Sequence, residues 1–419
     1  MTHDPTDARR GSRAKALRGL LLFLFVAMPA AGALLSLVEL VQQGVDGVDG
    51  LDGPSGLAVS PDGIHVYTTA EVSNSLVAFR RDVTNDGLVF LESFQDGTGG
   101  VFGMAAASAV AISPDGRHVY ATGEDDDSVV VFRRDITDDA LTFANVVMEN
   151  VGGVIGIDQP QSVAVSSDNR HVFVAGFNSN SLAVFRRSAT NDELAQVDFA
   201  QDGQDGVDTL SRPSSVAASP DSLDVYVAAR VDDAISVFRR DGTPDDYALL
   251  DAVEEGVDGV VGLDAVTDLA VSPDGNHLYA TSQLSNAIAV FERQGDGSLQ
   301  QVEAIFDGDG GAALQGPRAV AISPEGNLVF VAATAEDAIS VFHRNSGSGE
   351  LRLAEVLRNG VGGINGLDAP VDLVATPDAL HVYVAAFADD AVAGFRVIQI
   401  LFRDGFESGD VSAWDGSNP

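Results

Sequence analysis

The chain has 419 residues, 45% apolar and 21% charged, with no cysteine and a formal net charge of −38. That apolar share supports a large core, and the lack of cysteine excludes disulfides and thiolate metal sites. The excess of acid repels nucleic acid and anionic membrane, and it suits cations, basic partners or a salty medium.

Taken in chain order, residues 1–33 read as an export signal. Arg9, Arg10, Arg13, Lys15 and Arg18 precede the apolar run from Leu20 to Val26, and Ala31-Gly32-Ala33 offers a cleavage site. The run is short for a spanning helix, so a periplasmic or extracellular protein without a transmembrane anchor is expected, with retention at the cell surface as a variant.

From Ala58 a phrase begins that organises the rest: AVSPDGIHVY. It returns from Ala111, Ala164, Ala217, Ala270, Ala321 and Val374, with its Ser or Thr at 60, 113, 166, 219, 272, 323 and 376. The spacing is 53 residues except for one step of 51, which marks a repeat architecture.

Each repeat predicts four short strands. In the first, Ser55 to Ser60 is strand a, and Ser60-Pro61-Asp62-Gly63 is a β-turn with proline presetting φ. His65 to Ala70 is strand b, Ser75 to Arg81 strand c and Leu88 to Phe94 strand d. Seven such units without helical periodicity predict an all-β, seven-bladed β-propeller over residues 34–398. Phe79, Phe132, Phe185, Phe238, Phe291, Phe342 and Phe395 on strand c, with Tyr67 and its equivalents on strand b, are expected to fill the wedges between blades.

The last repeat lacks a strand d. Leu35 to Val41 aligns with Leu88 to Phe94 and is expected to complete that blade, which removes an open edge. Residues 399–419 lie beyond the repeat and read as a tail with a sorting or surface-association role.

The phrase P-x-x-[LV]-A-[VI]-S-P-D-G-x-H-V-Y, followed by an Asn/Asp-rich turn and a strand ending Val-Phe-Arg-Arg, resembles the YVTN and lactonase-type propellers, the 6-phosphogluconolactonase-like superfamily. The resemblance implies the propeller fold, and a channel site built from His, Arg and Glu. The chain departs from that pattern. His65, His118, His171, His277 and His381 share one repeat position and His343 follows a strand c Phe, so none is expected in the channel.

Function is expected on the face carrying the b–c and d–a connections. Four residues past the strand b aromatic the blades vary: Glu71, Glu124, Phe177, Arg230, Gln283, Thr334 and Phe387. Variation within a rigid repeat is where a site can be grafted. Glu71 and Glu124 are placed to share a proton or cation, and Arg230 to hold a carboxylate or phosphate. Asp268 and Asp372, near the start of strand a, are further ligand-binding candidates. The uniform set Asn74, Asp127, Asn180, Asp233, Asn286, Asp337 and Asp390 reads as turn-forming Asx residues. The arginines after strand c, such as Arg80 and Arg81, read as charges on the opposite face.

Calcium is the one cofactor these loops admit, with Asp46, Asp49, Asp52, Asp307 and Asp309 as candidate metal ligands, although their spacing departs from a D-x-D-x-D-G loop. The residues favour a monomeric, non-catalytic propeller that binds a small-molecule or protein ligand on its acidic face. A lactonase-like hydrolase at the channel mouth and a cell-surface structural module are the alternatives.

Overall fold

A computed structural model describes residues 33–398, apart from 83, 138, 139, 189, 190, 241 and 244. The proposed signal, all but its last residue, and the tail therefore lie outside the described residues. Seven four-stranded antiparallel sheets are arranged around a central channel. In the first blade the strands are Pro54–Val59, His65–Ala70, Ser75–Asp82 and Gly87–Gln95. Blade 7 comprises Pro370–Ala375, His381–Ala386 and Ala391–Val397, and is completed by Leu35–Gln42 from the other end of the chain. The expected closure is borne out. Glu355 of blade 6 also accepts the amides of Leu34 (2.7 Å) and Leu35 (3.0 Å), which pins the closing strand to its neighbour.

The recurrent phrase is a local device. Ser60 Oγ accepts the His65 amide (2.9 Å) and donates to Asp62 (2.5 Å), while Asp62 accepts the Ile64 amide (3.0 Å). Gly63 closes the turn at a φ of 70°, where a side chain would be strained. Strand b that follows is buried at every position in all seven blades. The strand c phenylalanines are wholly buried, as expected of rings wedged between sheets.

Three sets of contacts join successive blades. The uniform Asx side chains do not close their own turns as the sequence suggests. Each sits at a φ of 49–53° and accepts a backbone amide of the following blade at 2.7–3.0 Å, from Asn74 with Ala106 round to Asp390 with Gly53. At the outer edge, acids of strand d such as Asp198, Asp251 and Glu303 accept the amide that opens the next strand d, at 2.6–2.9 Å.

The third set corrects the reading of the arginines. The second arginine after strand c is an interior residue, not a surface charge. Arg344 reaches back into blade 5, where it bonds Asp274 (2.9 Å), His277 Nδ1 (2.8 Å) and Tyr279 Oη (2.7 Å). Arg81 does the same to Asp378, His381 and Tyr383 of blade 7, and Arg134 to Asp62 and His65 of blade 1. Blade 3 carries Phe173 in place of the tyrosine, and Tyr247 of blade 4 supplies the hydroxyl to His171 Nδ1 (3.3 Å) and to Arg240 (3.0 Å). At the seam between blades 6 and 7 the arginine, histidine and tyrosine positions become apolar together, while the acid is kept as Glu325. Val397 replaces the arginine, Leu328 the histidine and Phe330 the tyrosine, and all but Val397 fall in one buried apolar cluster, against which Val397 packs.

Removing one member of a buried charged network leaves its partners unsatisfied, at a cost of about 3 kcal/mol or more. Arg344→Ala is expected to lose about that much in a denaturant titration. A loss below about 0.5 kcal/mol, the range of an ordinary surface substitution, would show that the network carries no stability.

Candidate functional site

Strand a runs along the channel, so its second and third residues form two rings facing the axis. In four blades the second residue is Ser55, Ser108, Ser214 or Thr267. Each hydroxyl donates to the carbonyl opening strand a of the next blade, at 2.7–3.0 Å. The remaining three blades carry Gln161, Arg318 and Val371 there. In blade 6 the bridging bond is still made, but by Thr334 Oγ1, which donates to the Pro370 carbonyl at 2.6 Å. Thr334 thus releases position 318 from the ring.

A cavity of about 420 Å³ opens at the channel mouth, on the face of the b–c turns. Seven of the nine ligand-binding candidates line it: Glu71, Glu124, Arg230, Asp268, Thr334, Asp372 and Phe387. Two do not. Phe177 is capped by the Arg212 guanidinium, 5.0 Å from its ring centroid, and Gln283 accepts a bond from Arg230 (2.6 Å), so it props a lining residue. The structure adds Arg318 and Gln161, which lie on strand a, outside the b–c turns. The signal was available: both break the Ser/Thr pattern of the inner ring.

The walls are unlike one another. Blades 1 and 2 bring the acids Glu71 and Glu124, blades 4 and 6 bring Arg230 and Arg318, and blade 7 brings the apolar Phe387 and Val371. Burial raises the Glu124 pKa to about 7, with the Glu71 charge adding to the effect and bonds from Ser108 and Gln161 opposing it. Arg318 is open to channel solvent yet surrounded by protein. Burial pulls its pKa below the usual arginine value, as does the nearby Arg230, while Glu71 and Glu124 act in the other direction. Among the described residues its guanidinium makes no hydrogen bond or ion pair, so its donors are available to a ligand.

Deeper in, Asp268 accepts the Val320 amide (2.9 Å) and the Ser215 hydroxyl (2.9 Å), and Asp372 accepts the Leu57 amide (2.6 Å). Burial raises both, and the Asp268 charge helps bring Asp372 to about 8. These acids therefore latch neighbouring blades while facing the channel.

The loop acids are engaged locally. Asp49 accepts the Gly50 amide (3.0 Å), Asp307 the Leu314 amide (3.0 Å) and Asp309 the Phe306 amide (3.0 Å). Asp46 is a turn residue at a φ of 49°, and Asp52 bonds Asp390, which raises its pKa. Among the described residues, no three metal-ligating side chains converge. The five repeat histidines lie in the inter-blade networks or at the same blade-end position, away from the cavity, as the sequence suggests.

The sequence pattern of the family described as lactonase, seven-bladed β-propeller, matches residues 36–210 and 245–359. The chain belongs to that family. It is 23% identical over 309 residues to the 6-phosphogluconolactonase of Photorhabdus laumondii, covering 73% of this chain and 84% of that one. Among solved structures it resembles the periplasmic gluconolactonase of Pseudomonas aeruginosa, with a TM-score of 0.60 and 20% identity over 80% of this chain and 95% of the other. A Lactobacillus plantarum protein is similar at a TM-score of 0.61 and 19% identity, covering 76% and 86%. At these identities the structural likenesses establish the lactonase propeller as a fold. Membership of the lactonase family favours the hydrolase alternative over the non-catalytic module. Among the described residues no helix is long and apolar enough to cross a membrane.

Proposed function

We propose that this protein hydrolyses a lactone at the channel mouth. The observation that carries the reading is Glu124, poised near pH 7, across the same cavity from the unengaged Arg318. A carboxylate with a pKa near the working pH suits a general base. In this reading Glu124 takes a proton from a water whose oxygen bonds to the acyl carbon. The carbonyl oxygen becomes an oxyanion facing Arg318, an arrangement that stabilises developing charge. The acyl–oxygen bond of the ring then breaks, and the departing ring oxygen takes the proton from Glu124. The product is a hydroxy acid; its carboxyl group loses its proton to solvent, and the resulting carboxylate faces the same guanidinium. Arg230, held by Gln283, adds a second positive charge, and burial, helped by the Glu71 charge, keeps the Glu124 pKa high.

The sign of the pH dependence follows. The base works when deprotonated, so kcat/KM is expected to rise with pH through a midpoint near 7. Glu124→Gln is expected to lower the rate about 10²–10⁴-fold and to remove that midpoint. A lactone panel assayed between pH 5 and 9 checks both. Turnover that survives in Glu124→Gln would reject the assignment, and a cooperatively melting protein inert to every lactone would leave a binding module.

We also infer export, supported by the arginine-rich segment and apolar run of residues 1–33. Amino-terminal sequencing of the protein recovered from cells tests it, and an uncleaved terminus in the cytoplasm would contradict it.

A further inference from the structure

Blades 3 and 7 carry the same ring at the same repeat position, Phe177 and Phe387. Beside each ring lies the last residue of the d–a loop that leads to the next blade. It is Arg212 after blade 3 and Gly53 after blade 7. The two are structural equivalents. Asn180 accepts the Arg212 amide and Asp390 the Gly53 amide, both at 2.9 Å, and both residues have a positive φ. The Arg212 guanidinium lies 5.0 Å from the Phe177 centroid, so the chain itself seats a cation on that face. Gly53 has no side chain to do the same, and a Cβ there would lie 3.1 Å from Cε2 of Phe387. The Phe387 ring lines the cavity instead.

The charge beside the two rings is reversed. The Arg212 carbonyl accepts the amide of Arg230, whereas the Gly53 carbonyl accepts the amide of Glu71 (2.8 Å). Glu71 therefore starts next to the residue that Phe387 reaches, and both line the cavity. Among the described residues the Glu71 carboxylate makes no hydrogen bond or ion pair, and no cation lies over Phe387. The b–c and d–a connections around the mouth carry twenty-six acidic residues and two basic ones, Arg212 and Arg230. Such a rim draws cations in and holds anions off.

We infer that Phe387 and Glu71 seat an ammonium group, so that the substrate is a lactone bearing a protonated amine. The substrate class rests on the hydrolytic reading of this cavity; the ammonium seat does not. The ring face attracts the cation through its quadrupole, and the carboxylate supplies a charge-assisted acceptor. Arg318, in the same cavity, remains for the lactone carbonyl.

The test is calorimetric binding of 3-aminopyrrolidin-2-one and of pyrrolidin-2-one to the full chain. Both are lactams, which stand in for the lactones and resist hydrolysis. At about pH 6.5 the amine is protonated, since an ordinary α-amino pKa is about 7.7–8.0. The amino lactam is expected to bind at least about tenfold tighter, the size of a cation–π contact combined with a charge pair. Phe387→Leu keeps an apolar wall but removes the ring, and is expected to narrow that ratio about threefold. Glu71→Gln is expected to narrow it by a similar factor. Gly53→Arg rebuilds over Phe387 the arrangement that Arg212 makes over Phe177, and is expected to abolish the preference. Equal binding of the two lactams, no binding of either, or a ratio unchanged in both Phe387→Leu and Glu71→Gln would overturn the inference. Because binding is read without turnover, a preference for the amino lactam in a protein that hydrolyses no lactone would sink the hydrolytic reading and leave the ammonium seat.

Discussion

Arg318→Ser is expected to lower kcat/KM for the best lactone by about 10²–10³-fold, the usual loss when one donor to a developing oxyanion is removed. The fold is expected to tolerate the change. Four blades already carry Ser or Thr at this ring position, and the substitution removes a guanidinium held close to Arg230. A melting temperature unchanged within a few degrees, beside a collapsed rate, would separate chemistry from stability. A companion pair sharpens the result. Thr334→Val deprives the Pro370 carbonyl of its hydroxyl and is expected to destabilise by about 1 kcal/mol. Adding Arg318→Ser restores a hydroxyl from the position used in other blades, so the double variant is expected to regain that stability and stay inactive. Wild-type kcat/KM in Arg318→Ser would remove Arg318 from the mechanism.

Deleting residues 34–42 is expected to abolish the cooperative monomeric melt. The segment buries Leu34, Leu35 and Val41 to under a tenth of their surface, each worth roughly 1.5–3 kcal/mol. It also pairs along the whole of Ala391–Val397. Net stabilities are about 5–15 kcal/mol, so this loss removes much of the margin before the backbone bonds are considered. The bared strand is an unprotected edge and invites association. Size-exclusion chromatography with thermal melting reads both effects. A monomer that melts as the intact protein does would mean the ring closes without its amino-terminal strand.

The candidate site was partly legible for a definite reason. Glu71, Glu124, Arg230 and Phe387 stand out because they vary at one position of an otherwise constant repeat, and the b–c turn carries that position to the channel mouth. Arg318 was passed over because it lies on strand a, where the repeat reads as scaffold. Its meaning depends on Thr334, 16 positions further on, performing the bond that a serine makes elsewhere. Phe177 and Gln283 matched the pattern yet sit behind the wall, since Arg212 covers one ring and Arg230 occupies the other side chain.

The blade count, the strands, the buried aromatics and the closing segment were determined by the sequence alone, because each rests on local turn chemistry and a period that the chain repeats. Tertiary structure alone decided the inter-blade destination of the Asx side chains, the burial of the second arginines, and the meeting of acid and guanidinium in one cavity. Those contacts join residues of different blades, many of them 50 to 70 or more positions apart. No local pattern specifies which neighbour a side chain will face once the ring has closed.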